Sequence, residues 1–155
     1  MRKVLGRCLL VPLFLLSLPA RAEESSEPAA RTPVGRWRTI DDASGKPKSI
    51  VAIWEEHGKL YGKVEELLDP KPDDPDPKCT KCPGDLKDQP IRGLRILWDL
   101  RKNGGYYSGG NILDPGNGKT YSCILSLAED GKKLKVRGFI GVPFLGRNQT
   151  WLREE

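Results

Sequence analysis

Residues 120–141 constrain the fold more than any other stretch, because turn chemistry and apolar pattern there specify a pairing register as well as an element type. Asp130-Gly131 suits the two-residue turn whose twist matches paired strands. With that turn at the centre, Leu127 faces Leu134, Leu125 faces Val136, Cys123 faces Gly138 and Tyr121 faces Ile140, so one face is mostly apolar or small. The other face pairs Ala128 with Lys133, Ser126 with Lys135, Ile124 with Arg137 and Ser122 with Phe139, a mixed and mostly polar set. A hairpin with one dry and one wet face belongs to a sheet that packs on another layer or closes on itself.

The same reasoning extends along the chain. His57-Gly58 joins residues 49–56 to 59–67, opposing Val51 to Val64, Ile53 to Gly62 and Glu55 to Leu60 on the core face. Outside, Trp54 lies against Tyr61, with Ala52 by Lys63 and Ile50 by Glu65. A third hairpin turns at Asn103-Gly104 and opposes Leu94 to Leu113, Ile96 to Asn111, Trp98 to Gly109 and Leu100 to Tyr107. Large faces small there, as inside a small barrel. Residues 35–40 read as an opening strand with Trp37 and Thr39 on one face, and residues 147–153 as a closing one. Residues 69–90 carry Pro70, Pro72, Pro75, Pro77, Pro83 and Pro90, which deny them a regular ladder or helix. About eight short strands and no helical period predict an all-β protein, a single small up-and-down antiparallel barrel. A two-sheet sandwich is the alternative, since strand count does not settle closure.

The first 22 residues stand outside this pattern. Met1-Arg2-Lys3 is basic, residues 4–19 are largely apolar, and Ala20-Arg21-Ala22 has the small-x-small form of a cleavage site, so they read as a secretory signal peptide and place the protein in the periplasm or outside the cell. A membrane anchor is the competing reading, but the run is interrupted by Arg7 and is shorter than a spanning helix, so no membrane span is expected after cleavage. Cys8 lacks the small-residue context of a lipid-attachment site. Cleavage removes Arg2, Lys3, Arg7 and Arg21 with no acid, which takes the net charge from +5 to +1. The basic balance belongs to the targeting segment, and nucleic acid is not expected as a partner. Residues 23–33 read as a flexible leader, and residues 34–155 as one barrel domain, expected to be a monomer.

Two resemblances follow. Gly35-x-Trp37 opening the first strand, with Arg153 near the end of the last, resembles the signature of lipocalin and calycin barrels, in which the tryptophan packs under a late basic residue at the closed end. The matching segments Ile40-Asp41-Asp42, Lys78-Cys79-Thr80-Lys81-Cys82, Gln89-Pro90-Ile91, Gly110-Asn111-Ile112-Leu113-Asp114-Pro115, Val136-Arg137-Gly138-Phe139-Ile140-Gly141, Gly146-Arg147 and Thr150-Trp151 make the chain similar to the bacterial exported family known as domain of unknown function 2147. That resemblance implies export and a lipocalin-like barrel; it implies no activity.

Few residues offer chemistry. Cys79 and Cys82 are close enough for a disulfide, favoured in an oxidising compartment, and thiol-disulfide exchange is the functional alternative to a loop staple. Exchange wants a thiolate stabilised by a helix N-terminus, whereas Pro83-Gly84 follows here. Zinc on Cys79, Cys82, Cys123 and His57 has only half of a site's spacing, and Cys123 reads as a small buried residue and an unpaired thiol. Asp69, Asp73, Asp74 and Asp76 lack the glycine and glutamate of a calcium loop. With His57 the only histidine, no Ser-His-acid set can be assembled, so the protein is read as no enzyme and as needing no cofactor or metal. Asn148-Gln149-Thr150 matches a glycosylation acceptor by chance in a bacterial chain.

The remaining feature is the interior, where the registers place Trp98, Tyr107, Asn111 and Tyr121 inward, with Trp37. These five are the candidate ligand contacts for a small amphipathic molecule. The competing account is that they pack a filled core. The second function is then an envelope interaction module that meets another protein through Trp54, Tyr61 and Phe139, and the third a redox protein at Cys79 and Cys82.

Overall fold

The computed structural model describes residues 32–155; the expected signal peptide, Cys8 and most of the leader lie outside the described residues. Eight strands run β1 (Gly35–Ile40), β2 (Pro47–Glu56), β3 (Lys59–Leu67), β4 (Arg95–Asn103), β5 (Tyr106–Asp114), β6 (Lys119–Ala128), β7 (Lys133–Phe139) and β8 (Arg147–Glu154). Each pairs antiparallel with the next, and β8 pairs back onto β1 through Trp37 opposite Arg153. The barrel is closed, so no sheet edge is left to protect. Closure excludes the two-sheet sandwich.

The β6–β7 hairpin has the register expected from its turn, from Ala128 opposite Lys133 to Ser122 opposite Phe139. Asp130 and Gly131 take φ of 52° and 84°, and the Lys132 amide donates to the Glu129 carbonyl at 3.0 Å. Positive φ at both central residues matches the right-handed twist of the strands. The ladder stops before the expected Tyr121–Ile140 pair, and Ile140 belongs to the loop beyond. The β2–β3 hairpin also follows expectation as far as Val51 opposite Val64; a bulge then sets Ile50 against Glu66 rather than Glu65.

The β4–β5 hairpin departs from expectation twice. Its turn is Gly104-Gly105, so Asn103 pairs with Tyr106 and Trp98 with Asn111. Asn103 stays in the strand and donates its Nδ2 to the Tyr106 hydroxyl at 3.1 Å. More consequential are two breaks in the alternation of β4. A register shift opposite Gly62 brings both Ile96 and Leu97 into the barrel, and Asp99 at φ 62° interrupts the strand again before Leu100. A bulge of this kind re-aims every side chain beyond it. Trp98 therefore falls on the outer face. Gly109, at φ 78°, supplies the matching kink in β5, and Gly110 sits so close to the backbone of Trp98, Asp99 and Leu100 that a Cβ would overlap them. Leu97, Ile112 and Tyr121 then form one inward row, with Asn111 opposite Trp98 outside.

One end of the barrel is shut by the tight turns at 57–58, 104–105 and 129–132 and filled by Trp37, Leu60, Leu100, Leu125 and Leu134, all buried. Thr32 and Pro33, the last residues of the expected leader, cross this end: Pro33 is buried and accepts a bond from Trp37 Nε1 at 2.8 Å. Longer connections rim the other end. Residues 69–90 are held by backbone bonds from Cys79 N to Gln89 O at 2.8 Å and from Ile91 N to Pro77 O at 2.9 Å. Cys79 and Cys82 form a disulfide whose sulfurs are buried beside the β5–β6 turn, with the Cys79 sulfur 3.5 Å from the Pro115 carbonyl oxygen.

Candidate functional site

A cavity of about 920 Å³, its mouth included, enters the barrel from the end with the long connections. Its walls combine Val64, Leu67, Ile96, Ile112, Val136 and Trp151 with the polar side chains of Thr39, Ser49, Tyr121 and Gln149. Small residues make the room: Gly138 stands opposite Cys123, where a Cβ would meet Tyr121 and Ile112 at ordinary contact distance. Apolar walls with a few convergent polar groups are the usual composition of a small-molecule site.

The polar groups have defined hydrogen-bonding capacity. Thr39 Oγ1 and Ser49 Oγ lie 2.7 Å apart, both residues buried, and Thr39 Oγ1 also accepts from the Ser49 amide at 3.1 Å. One hydroxyl proton serves the bond between them. If Thr39 supplies it, the Ser49 proton is left for a guest; if Ser49 does, Thr39 donates to the Ser49 carbonyl at 3.3 Å. Tyr121 accepts from Asn117 Nδ2 at 2.9 Å, which leaves its phenolic proton free to donate. Gln149 is fixed at both ends, its Oε1 accepting from Trp151 Nε1 at 3.2 Å and its Nε2 donating to Asp42 at 2.9 Å. Asp42 also bonds Arg147 at the mouth, so this chain of groups is internally neutralised.

The five sequence-chosen contacts do not gather in this cavity. Tyr121 lines it. Trp37 lies beneath its floor, its ring 4.2 Å from the guanidinium carbon of Arg153. Tyr107 points inward opposite Leu125, but at the shut end. Trp98 and Asn111, expected inside, are on the outer face for the register reasons given above. The sequence reading missed Ser49, Gln149 and Trp151, although alternation in β2 and β8 carries the signal: Ser49 pairs with Thr39, and Gln149 and Trp151 pair with the inward Val136 and Leu134.

Elsewhere, Trp54 and Tyr61 stack on the outer face with centroids 6.0 Å apart, and Arg95 lies 5.3 Å from the Tyr61 ring centroid. Cys123 is buried, and burial pushes its thiol up to about 12. His57 sits exposed at a hairpin tip, away from the three cysteines, and among the described residues no group of three or more His, Cys, Asp or Glu side chains is arranged to hold a metal. Thiol exchange requires in-line approach to a sulfur, which the burial of Cys79 and Cys82 obstructs. Among the described residues no helix is long and apolar enough to cross a membrane.

The closed end decides the kinship. Gly35 has φ 131°, a conformation strained for any side chain, and a Cβ there would stand 2.9 Å from an Arg153 nitrogen; Trp37 fills the end, and Arg153 caps it. With that arrangement, residues 35–153 match the family model described as "Uncharacterized protein conserved in bacteria (DUF2147)". The chain belongs to this family. A DUF2147 chain can also be set beside a solved structure, that reported as "Protein HP1028 from the human pathogen Helicobacter pylori belongs to the lipocalin family". The two share 25% identity and superpose with a TM-score of 0.67, over 79% of this chain and 82% of the other. Comparison with curated proteins gives no match. The DUF2147 fold here is thus an eight-stranded lipocalin-like barrel.

Proposed function

We propose that this protein is a non-enzymatic carrier that takes a small amphipathic molecule into its barrel, in the periplasm or outside the cell. The observation that carries this reading is the 920 Å³ opening in a barrel whose opposite end is sealed. A filled barrel would leave only its outer face for function, whereas this volume falls in the range of small-molecule sites, roughly 300–1,000 Å³. The apolar body of the guest rests on Val64, Ile96, Ile112 and Val136. Its polar end meets the Tyr121 phenol, which retains a donor, and the Ser49 hydroxyl, which retains one when Thr39 supplies the proton between them. The H. pylori protein named as a lipocalin supports the reading by fold. The basic, apolar, small-residue order of residues 1–22 supports export.

The test is to fill the cavity from its wall. Val136 and Ile112 both line the interior, and replacing Val136 by Trp adds bulk where the guest's apolar body would lie. Titration of the protein with an environment-sensitive naphthylamine probe should give saturable emission, at least ~10-fold weaker in affinity for Val136→Trp, because the displaced guest loses more than ~1.4 kcal/mol of contact. Equal affinity in the two proteins would remove the interior from consideration. The interaction-module reading would then be preferred, through the outer face that carries the half-buried Trp54 and Tyr61.

A further inference from the structure

The connection between β7 and β8 carries an exposed apolar group that cavity binding does not explain. Along residues 140–146, Ile140 is 66% exposed, Val142 44%, Phe144 77% and Leu145 71%. The backbone beneath them is fixed. Arg137 Nε donates to the Pro143 carbonyl at 2.6 Å, Leu145 N to Val142 O at 3.2 Å, and a Cβ on Gly146 would stand 2.7 Å from the Gly138 carbonyl oxygen. These side chains are therefore presented by a pinned loop.

The strand that leads into the loop carries two cations, Lys135 and Arg137, with no ion pair to an acid among the described residues. Between Asp130 and Glu154 the sequence has no acid, but it has Lys132, Lys133, Lys135, Arg137, Arg147 and Arg153. Lys132, Lys133 and Arg153 belong to the shut end and Arg147 is paired with Asp42, while Lys135 and Arg137 lie on β7 running toward the apolar loop, Arg137 bonded there to the neutral Pro143 carbonyl and Asn148 side chain. The acids Asp69, Asp73, Asp74 and Asp76 belong to the β3–β4 connection, four strands away in an eight-stranded ring; Asp41 and Asp42 are on the nearer β1–β2 connection, where Asp42 is taken up by Arg147.

We infer that the β7–β8 loop docks the barrel on an anionic phospholipid bilayer, with Phe144 and Leu145 entering the boundary between headgroups and acyl chains and Arg137 and Lys135 of β7 meeting lipid phosphates. Apolar side chains flanked by cations are the combination such a surface binds. A protein interface of ordinary size spans ~800 Å² on each partner, whereas this apolar group is confined to one projecting loop. Ile140 and Leu145 also line the cavity mouth, so docking turns the opening toward the lipid. The inference holds whether or not the cavity carries a guest.

Co-flotation with vesicles tests it, using the chain as processed by the cell, its N-terminus verified by intact mass. Binding is expected to vesicles of phosphatidylcholine mixed with phosphatidylglycerol, to weaken with added salt, and to fall at least ~10-fold in a Phe144→Ser, Leu145→Ser double variant. Both positions are exposed, so the variant should melt as the parent does, which circular dichroism checks. Equal binding by the double variant, equal binding to phosphatidylcholine alone, or no binding to either vesicle would overturn the inference. Capture of a protein through this loop in the absence of vesicle binding would do the same.

Discussion

Arg153 secures the closed end with a single guanidinium. It donates to the carbonyls of Gly131 at 2.7 Å, Thr32 at 2.8 Å and Val34 at 3.2 Å while lying over the Trp37 ring. Arg153→Ala should lower stability by about 2–4 kcal/mol in urea unfolding, because three carbonyls lose a charged donor and the ring loses its cover. Arg153→Lys should restore less than half, since an ammonium cannot reproduce the planar fork. Cys123 makes a separate prediction. Burial pushes its thiol up to about 12 in the folded protein from an ordinary 9.0, so the fold favours the neutral form. That contribution is intact below the unfolded value and is lost as pH rises from about 9 toward 12. Melting at pH 10 should therefore show a further loss of about 1 kcal/mol relative to pH 8 that a Cys123→Ala variant lacks. Both residues were legible in the sequence: Gly35-x-Trp37 with Arg153 is a short pattern tied to fixed contacts, and Cys123 faced Gly138 in a hairpin whose turn set the register.

At the scale of elements, the hairpins separate by how much their turns reveal. His57-Gly58 and Asp130-Gly131 each contain one unambiguous pair of residues able to take positive φ, and both registers follow from them. Asn103-Gly104-Gly105 offers two such pairs, and the chain uses the second. No local signal marks the bulge at Ile96-Leu97 or the positive φ of Asp99, because both answer to neighbouring strands: Gly62 admits Leu97, and Gly110 admits the backbone of β4. Trp98 and Asn111, expected inside, take the outer face for that reason. Gly110→Ala should be poorly tolerated, lowering stability by more than about 3 kcal/mol in thermal or urea unfolding, since the new Cβ meets backbone that cannot swing aside. The disulfide closes a very short loop, so its chain-entropy contribution is only about 2 kcal/mol. Replacing Cys79 and Cys82 by Ser should leave the barrel folded while amides of residues 77–94 exchange faster by mass-detected hydrogen exchange, with the eight strands little changed. Loss of the whole barrel would mean that folding of the strands depends on this segment.

For the molecule as a whole, closure and the two unlike ends matter most. Tight turns and the large side chains of Trp37, Leu60, Leu100 and Leu134 shut one end. Longer connections and the inward Gly138, Thr39 and Ser49 leave room at the other. Strand number and alternation made the all-β barrel legible, but interior volume depends on how side chains meet across it, which pairwise registers do not fix. The central claim is that this volume holds a guest. Native mass spectrometry of the protein purified from its own cell, against the same sample denatured, tests that claim most directly. A stoichiometric small-molecule adduct that disappears on denaturation, and is absent from Val136→Trp, is the predicted result. A bare protein mass in every preparation, together with no saturable uptake of an apolar probe, would contradict the account.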